Sequence, residues 1–438
     1  SGSGSSSGGV SCDSTSCPNG CCSNGSCIQY ASQTLQTCGT GGGACQACNA
    51  PSGANQCSNG VCECSGQAAC TGSVVCCSAG CVNPQIDPNN CSSCGNVCPS
   101  GDSCSSGSCV CTYSTCNGAC VDLQTNPGNC GTCGHSCLGG TCVGGSCQPY
   151  TVASGARAQD LALDASNVYW TDYSSPGGVR QCTIANCTTP ITLASGQNTP
   201  DRIAVDGSYV YWTNYGSSGS VMRCAIGTQC GSSATVLASA VDATGIALDA
   251  ANVYWTMYQS TGMGGVYACS KVGCGGTPTP ITTSTTYGYF DIAQINGGLY
   301  WTYNGGVLSC PTSGCTGAPN PVTPMGMSGV APYYIAVDTV DAYFTNGLPN
   351  YPVDFCSLSG SSGVATIAST ANGYAITVDA TYVYWTDITA QAVLYAPLGG
   401  GTPSTLYHSS TAYPLYVKQN AIAICWTASD NSVMCRAR

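Results

Sequence analysis

Charged residues are scarce in this sequence, and basic ones above all. Its 438 residues include 8 Lys and Arg against 19 Asp and Glu, which gives a formal net charge of -11 at pH 7. The basic residues form no cluster, whereas proteins that bind nucleic acid or anionic membrane surfaces use such clusters to neutralise phosphates. We therefore expect neither kind of partner.

Long apolar runs are also missing. No stretch approaches the ~20 apolar residues that a membrane-spanning helix needs, so we expect no transmembrane segment. The chain starts without Met or an apolar targeting segment, and we interpret Ser1 as a processed start. Residues 1–11 are rich in Gly and Ser, which predicts a flexible linker. Such linkers often tether secreted domains, so a lipid anchor upstream of Ser1 stays open.

Cysteine, in contrast, is abundant, with 39 residues. The part up to Cys147 holds 28 of them and no Lys or Arg, whereas the remainder holds 11 Cys and all 8 basic residues. Dense cysteine at short spacing is typical of oxidised, secreted proteins. The sequence therefore predicts an extracellular or outer-cell-surface protein with two domains of different kinds.

The cysteine-rich part contains a tandem repeat. The spacing from Cys77 to Cys109 recurs almost gap for gap from Cys116 to Cys147, and a divergent copy starts at Cys12. We place three modules at residues 12–62, 64–109 and 111–147, with 10, 10 and 8 cysteines. Even counts predict internal disulfides, although spacing alone does not give the pairing. Each crosslink adds roughly 2–4 kcal/mol to modules with too few aliphatic residues for a core.

Two segments carry a family resemblance. CVNPQIDPNNCSSCGNVC and CNGACVDLQTNPGNCGTCGHSC resemble the stigma-specific family of secreted cysteine-rich proteins, over roughly residues 70–147. The resemblance implies an extracellular module without catalytic residues. The spacing Cys91-x2-Cys94-x3-Cys98 also occurs in zinc and iron-sulfur sites. Secretion and the even cysteine counts favour disulfides, so we expect no metal and no cofactor.

An aromatic pair followed by Thr recurs in the second part of the chain. The second member of the pair repeats every 41–46 residues, a period typical of one four-stranded propeller blade. We therefore predict an all-β fold in which residues 150–438 form a seven-bladed β-propeller. The seven pairs, one of them degenerate, are Tyr169-Trp170, Tyr211-Trp212, Tyr254-Trp255, Tyr300-Trp301, Tyr343-Phe344, Tyr384-Trp385 and Cys425-Trp426.

The last repeat ends after its third predicted strand, near Cys435. An isolated outer-strand pattern, Tyr150 to Gly155, precedes the first repeat. We expect this N-terminal strand to complete the last blade, because closing the ring removes two exposed strand edges.

The repeats resemble the YWTD propellers of the low-density-lipoprotein-receptor class, and more closely a group of secreted bacterial propellers of unassigned role. Those YWTD propellers usually have six blades, and only Trp170-Thr171-Asp172 and Trp385-Thr386-Asp387 keep the full string here. Receptor function is therefore not implied. Propeller lyases and lactonases use His bases or Glu and Asp metal ligands. This chain has one Glu, Glu63, and two His, His135 and His408, so we predict that it is not an enzyme.

An acidic residue precedes most of the aromatic pairs. A sevenfold acid suggests catalysis, but a residue repeated at every strand end most often satisfies backbone donors in the following turn. We therefore interpret this set as structural. Its members are Asp164, Asp206, Asp249, Asp338 and Asp379, with Asn296 and Asn420 in the other two repeats.

The mouth of the central channel is a candidate ligand site. The residues ten positions before each aromatic are Asp160, Arg202, Gly245, Asp291, Tyr334, Ala375 and Tyr416. The acids and Arg202 either pair structurally or hold a polar ligand. Loops after the Trp-Thr strands add tyrosines to the same face, a composition that suits sugar stacking or packing against another copy. These are Tyr173, Tyr215, Tyr258, Tyr303 and Tyr351.

Cysteines in the repeats occur as local pairs with one exception. We expect disulfides for the pairs Cys182 and Cys187, Cys224 and Cys230, Cys269 and Cys274, Cys310 and Cys315, and Cys425 and Cys435, the last across a hairpin near Asp430. Cys356 has no local partner. Cys356 either forms a disulfide with another chain or is a buried, reduced thiol.

Three functions stay open. The first hypothesis is a non-enzymatic structural or adhesive protein that assembles with copies of itself into a surface fibre or layer. Low charge, few tryptic sites and Cys356 favour it. The alternative is a monomeric surface module, lectin-like or receptor-like, that binds another extracellular protein or a glycan through the Tyr-rich face. A propeller lyase or lactonase is the third.

Overall fold

The computed structural model describes residues 12–48, 54–78, 80–240, 242–258, 264–324, 331–347, 352–360, 363–369 and 372–438. The predicted linker and Tyr351 lie outside these ranges. Contacts divide the chain into two compact units, residues 1–134 and 135–438. In the described ranges, no helix has the length and apolar character needed to cross a membrane.

The first unit consists of short antiparallel hairpins. Its interior is formed largely by cysteine: Cys17, Cys21, Cys64 and Cys91 are all fully buried. Its one helical element in the described part is a 3-10 turn, Tyr30–Ser32. The strands are β1 (Gly20–Ser23), β2 (Ser26–Gln29), β3 (Gln56–Ser58), β4 (Val61–Cys64), β5 (Gln67–Ala68), β6 (Val75–Cys77), β7 (Gly80–Val82), β8 (Asp102–Ser105), β9 (Ser108–Cys111), β10 (Ser114–Cys116) and β11 (Ala119–Val121).

Disulfides hold these hairpins together. Their partners lie 9–24 residues apart, so each bond closes a local loop. Cys91, Cys94 and Cys98, whose spacing also suits a metal site, are each in a disulfide and are therefore not thiolates. The bonds within residues 12–133 are 12–22, 17–27, 21–45, 38–57, 48–62, 64–76, 70–81, 77–94, 91–104, 98–109, 111–120 and 116–133.

The second unit is a propeller of seven four-stranded antiparallel sheets, which confirms the predicted fold. It starts with a small hairpin, β12 (Cys142–Val143) and β13 (Ser146–Cys147), held by the disulfide Cys137–Cys147. Blades one to three, each from the innermost strand outwards, are β15 (Ala158–Leu163), β16 (Asn167–Asp172), β17 (Gly177–Thr183), β18 (Ile191–Gln197); β19 (Pro200–Val205), β20 (Tyr209–Asn214), β21 (Ser220–Ala225), β22 (Thr235–Ser239); and β23 (Ala243–Leu248), β24 (Asn252–Tyr258), β25 (Gly264–Ser270), β26 (Thr279–Ser284).

The remaining blades follow the same order. Blades four to six are β27 (Tyr289–Ile295), β28 (Gly298–Tyr303), β29 (Gly306–Pro311), β30 (Asn320–Pro321); β31 (Pro332–Val337), β32 (Asp341–Asn346), β33 (Val353–Ser357), β34 (Ala365–Ala368); and β35 (Gly373–Val378), β36 (Tyr382–Asp387), β37 (Ala392–Pro397), β38 (Ser404–His408). Blade seven is β39 (Pro414–Gln419), β40 (Ala423–Ala428), β41 (Val433–Ala437) and, outermost, β14 (Tyr150–Ala153).

The N-terminal strand closes the ring, as predicted. Tyr150 pairs with Cys435, and Thr151 pairs with Met434. Cys435 is also bonded to Cys425 on the neighbouring strand β40, which crosslinks the last hairpin. The closing blade is therefore built from both ends of the propeller sequence.

The aromatic pair is explained by the two faces of each blade. Successive residues of a strand point to opposite faces, so Tyr211 packs with Trp255 of the next blade while Trp212 packs with Tyr169 of the preceding one. All six tryptophans are fully buried. In blade seven Cys425 takes the Tyr position and contacts the cluster of Trp170.

The Thr of the motif links neighbouring blades. In most blades its hydroxyl accepts an amide of its own innermost strand and donates to a carbonyl of the next one; Thr386, for example, accepts from Ala375 N at 3.0 Å and donates to Leu415 O at 2.5 Å. In blade two this second bond comes from a different residue, because Arg202 Nε donates to Thr244 O at 2.7 Å. The hydroxyls of Thr171, Thr256, Thr302, Thr345, Thr386 and Thr427 all donate across the seam.

The repeated Asp residues are structural, as expected. Asp249 Oδ1 accepts the amides of Ala251 and Asn252, and its Oδ2 accepts the hydroxyl of Tyr254 at 2.6 Å. Burial opposes ionisation, but these hydrogen bonds hold the pKa of Asp249 below its ordinary value. Asn420 caps its turn in the same way, whereas Asn296 differs because it adopts a φ of 49° in a two-residue turn.

Candidate functional site

The innermost strands bring the predicted channel residues together at one end of the ring. We call the face where these strands begin the upper face and the opposite one the lower face. Asp160, Arg202, Asp291, Tyr334, Ala375 and Tyr416 line a cavity of about 40 Å³ at the upper end of the channel. Gly245 also lies at this level, and a Cβ there would meet Thr256 Oγ1 at 2.6 Å.

Arg202 lies between two tyrosine rings. Its guanidinium carbon is 5.1 Å from the ring centre of Tyr334 and 4.7 Å from that of Tyr416. The sequence suggested Asp160 or Asp291 as its partner, but its ion pair in the described part is to Asp201, at 3.7 Å. Burial raises the pKa of Asp201 against the lowering effect of Arg202. Sequence reasoning missed Asp201, which lies one position earlier on the same strand.

Asp160 and Asp291 connect neighbouring blades. Asp160 Oδ2 accepts the amide of Ile203 at 3.3 Å, and Asp291 Oδ2 accepts the amide of Ile335 at 3.1 Å. Burial raises the pKa of Asp291, against the lowering effects of Arg202 and Lys418. Both carboxylates therefore accept hydrogen bonds from the backbone of the next blade.

Tyrosine hydroxyls occupy the rest of the upper channel. Tyr416 Oη lies 3.2 Å from the hydroxyl of Tyr334 and 3.4 Å from that of Tyr374. Gln159 Nε2 donates to Tyr416 Oη and to Asp201. Burial raises the pKa of Tyr334 and of Tyr416, so these groups are neutral donors and acceptors. We call Arg202, Gln159, Tyr334, Tyr374 and Tyr416 together the channel plug.

The predicted loop tyrosines lie on the upper face. Tyr173 is 41% exposed, and burial raises the pKa of both Tyr173 and Tyr215. Tyr258 stacks on Phe290 with ring centres 5.2 Å apart. Tyr303 differs, because it is 6% exposed and packs inward.

A larger opening lies on the same face between blades five and six. It has a volume of about 500 Å³ and is lined by Tyr333, Tyr334, Gly347, Asn372, Gly373, Tyr374 and Ile388, none of which is charged. We call it the tyrosine cleft. Of its residues, the sequence predicted Tyr334 as a site residue. Tyr333 and Tyr374 were missed, although each lies one position before the predicted channel ring.

Local geometry fixes the walls of the tyrosine cleft. Tyr333 is 46% exposed, and its ring covers Gly347, where an added Cβ would meet the ring at 2.4 Å. The ring of Phe290 meets that of Tyr333 in a T-shaped arrangement, with centres 5.1 Å apart. Asn372 is held through its backbone, because its carbonyl accepts the amide of Ile388. The Tyr333 ring is thus fixed and open to solvent on its free side.

The loop cysteines form local disulfides. The bonds are Cys182–Cys187, Cys224–Cys230, Cys269–Cys274, Cys310–Cys315 and Cys425–Cys435. Cys356 is the one free cysteine in the described part of the chain, and it is 1% exposed within a core cluster. A sulfur at this depth does not reach another chain, so the interchain bond considered above does not fit the folded protein.

Cys356 is expected to resist alkylation in the native state. Burial raises the pKa of its thiol to about 12, so at pH 8 it is both protonated and inaccessible. Iodoacetamide should label Cys356 only after unfolding in guanidinium without reductant, as measured by intact mass. Cys356→Ser serves as the control and should take up no label. Native labelling, or covalent dimers on a non-reducing gel, would contradict this placement.

Comparisons with known proteins support the fold and no closer assignment. No family model matches the chain, and no curated protein matches it. Among solved structures, virginiamycin B lyase from Staphylococcus aureus is similar, with a TM-score of 0.54 and 10% identity over 66% of this chain and 98% of its own. The WD40 β-propeller domain of Doa1 gives 0.53 and 11% over 66% and 97%. A chain of a nidogen/laminin complex gives 0.35 and 18% over 57% and 80%.

At such identities the likeness shows a β-propeller fold alone. The lyase and WD40 alignments each cover two thirds of this chain. The stigma-specific resemblance of residues 70–147 gains no support from a family match and stays a prediction.

Proposed function

We propose that this protein is a non-enzymatic extracellular binding module whose propeller takes a neutral glycan in the tyrosine cleft. The observation that carries the proposal is an open, uncharged cleft walled by three tyrosines, beside a channel in which Arg202 is paired with Asp201. Ligand sites in proteins combine aromatic walls with a few polar groups that fix orientation.

The chemistry of the cleft favours an uncharged sugar. The exposed ring of Tyr333 offers an apolar surface to the C–H face of a sugar, and the amide of Asn372 offers both a donor and an acceptor. An acidic ligand would find no cation among the lining residues. The nearby Arg202 is committed to Asp201 and to the two rings of the channel plug.

Catalysis is disfavoured by what the channel holds. A histidine-to-alanine variant of virginiamycin B lyase is described as catalytically inactive. In this propeller His408 lies at the end of the outermost strand β38 and is exposed, away from the channel. Asp160 and Asp291 accept backbone amides of the neighbouring blades, and the cavity that they line is only about 40 Å³. We therefore infer a binding role without turnover.

An extracellular location fits the disulfides of both units. They include bonds between residues close in sequence, such as Cys17–Cys27 in the first unit and Cys182–Cys187 in a blade loop. Such dense crosslinking persists in oxidising surroundings.

Self-assembly into a fibre or layer is the second candidate. Exposed apolar side chains could form non-covalent contacts between copies. The outermost strands β18 and β22 expose Ile191 and Val236, which are 45% and 60% accessible, and Val272 is 84% accessible. Low charge reduces repulsion between copies. Buried Cys356 removes the covalent link from this hypothesis.

Titration calorimetry with the neutral oligosaccharides chitohexaose and cellohexaose tests the glycan proposal. We expect one of them to bind the wild-type protein and Tyr333→Ala to bind roughly ten-fold or more weakly, since losing an aromatic contact costs about 1.5–3 kcal/mol. Tyr287→Ala is the matched control, because Tyr287 is 45% exposed and lies outside the cleft. Equal affinity for both variants would contradict the cleft as the binding site.

A further inference from the structure

The lower half of the central channel forms a second cavity. It has a volume of about 280 Å³ and lies where the innermost strands end, at the lower face. It is lined by strands of blades three to seven, and Lys418 is the one charged side chain among its lining residues. The channel plug lies between this cavity and the upper face.

Lys418 is the exception in a ring of small residues. The equivalent positions of the seven innermost strands are Ala162, Ala204, Ala247, Ala293, Ala336, Thr377 and Lys418. Of these residues, Ala247, Ala293, Ala336, Thr377 and Lys418 line the cavity, and Lys418 is the one that is long and charged. Lys418 also lines the smaller upper cavity, together with Asp160, Arg202 and Asp291.

Lys418 has no ion pair in the described part of the chain. The other lysine, Lys271, differs because its Nζ lies 2.8 Å from Asp206 Oδ2. Lys418 acts on Asp291, whose pKa it lowers against the raising effect of burial. However, Asp291 Oδ2 already accepts the amide of Ile335.

Backbone amides add donors to the same chamber. The amides of Asp249, Asp338 and Asp379 bond to the second strand of their blades. Because amides alternate between the two edges of a strand, those of Leu248, Val337 and Val378 face the channel. All three of these residues line the cavity.

We propose that the lower channel is a binding site for a small monocarboxylate, held by Lys418 and the channel-facing amides. One ammonium matches one negative charge, and the carboxylate of Asp291 opposes a second. The cavity volume of about 280 Å³ accommodates a short hydrocarbon chain beside the carboxylate. This site is separate from the tyrosine cleft and does not depend on the glycan proposal.

Titration of the full chain with butyrate at pH 7 and low salt tests the site. We expect saturable binding that Lys418→Met weakens roughly ten-fold or more, because the variant loses the charge-assisted hydrogen bond from the ammonium to the carboxylate. Lys271→Met is the matched control and should bind butyrate as the wild type does. Absence of butyrate binding to the wild-type protein, or equal binding by Lys418→Met, would overturn the proposal.

Two further variants keep the test decisive if Lys418→Met does not fold, as judged by circular dichroism. Ala336→Leu fills the chamber and should abolish butyrate binding while Lys418 stays in place. Lys418→Arg keeps the charge and should retain binding within a few-fold. Butyrate binding that survives Ala336→Leu would place the ligand outside the channel and refute the site.

Discussion

Replacing Arg202 with Met is expected to lower the free energy of unfolding of the propeller by about 3–5 kcal/mol, because breaking a buried ion pair leaves a charge without its partner. The change strands Asp201, which is 7% exposed, and removes the bond from Arg202 Nε to Thr244 O that joins blades two and three. It also removes the cation that Tyr334 and Tyr416 enclose. Urea unfolding followed by tryptophan fluorescence measures the effect.

Arg180→Met is the control for this prediction. Arg180 lies 3.4 Å from Asp172, with 39% of its side chain exposed. Exposed ion pairs contribute about 0–1 kcal/mol, so the control should shift the midpoint little. A midpoint for Arg202→Met that equals the control would contradict the structural role given to the channel plug.

Replacing Trp385 with Ala is expected to cost about 3–5 kcal/mol, as large-to-small substitutions of buried aromatics do. Trp385 is fully buried and packs with Tyr343 of the preceding blade and with Ile376 of its own. The cavity therefore opens at a seam between two blades. Thermal unfolding measured by circular dichroism should show a clearly lower melting temperature.

Val236→Ala is the control for the tryptophan prediction. Val236 lies on the outermost strand β22 and is 60% exposed, so its truncation should cost less than about 0.5 kcal/mol. Equal melting temperatures for the two variants would mean that the aromatic pair does not hold the blades together.

The repeat predicts the blades because strand alternation is local. The spacing of Trp212 and Trp255 gives the period, and the truncated last repeat gives the closure by β14. The sequence shows that Thr recurs in the motif but does not explain why, because the carbonyl that accepts its hydroxyl lies in the next blade. That bond depends on how two innermost strands align, which a single sequence does not show.

The candidate site was predicted only in part. Counting ten residues back from each aromatic placed Arg202 and Tyr416 at the channel, where the structure has them. The sequence did not identify Asp201 as the partner of Arg202, because adjacent residues of a strand point to opposite faces. In the structure the two side chains nevertheless form an ion pair. The sequence did not predict the tyrosine cleft, because its wall depends on a contact between residues far apart in sequence. The ring of Tyr333 packs over Gly347, directly after strand β32, where a larger residue would leave it no room.

A glycan array probed with the wild-type protein and with Tyr333→Ala tests the central claim most directly. The account predicts that the wild type binds neutral oligosaccharides, that acidic glycans bind no better, and that Tyr333→Ala loses the signal. Exclusive binding to charged glycans, or no glycan binding by a protein that forms multimers in light scattering, would contradict it and favour the assembly hypothesis.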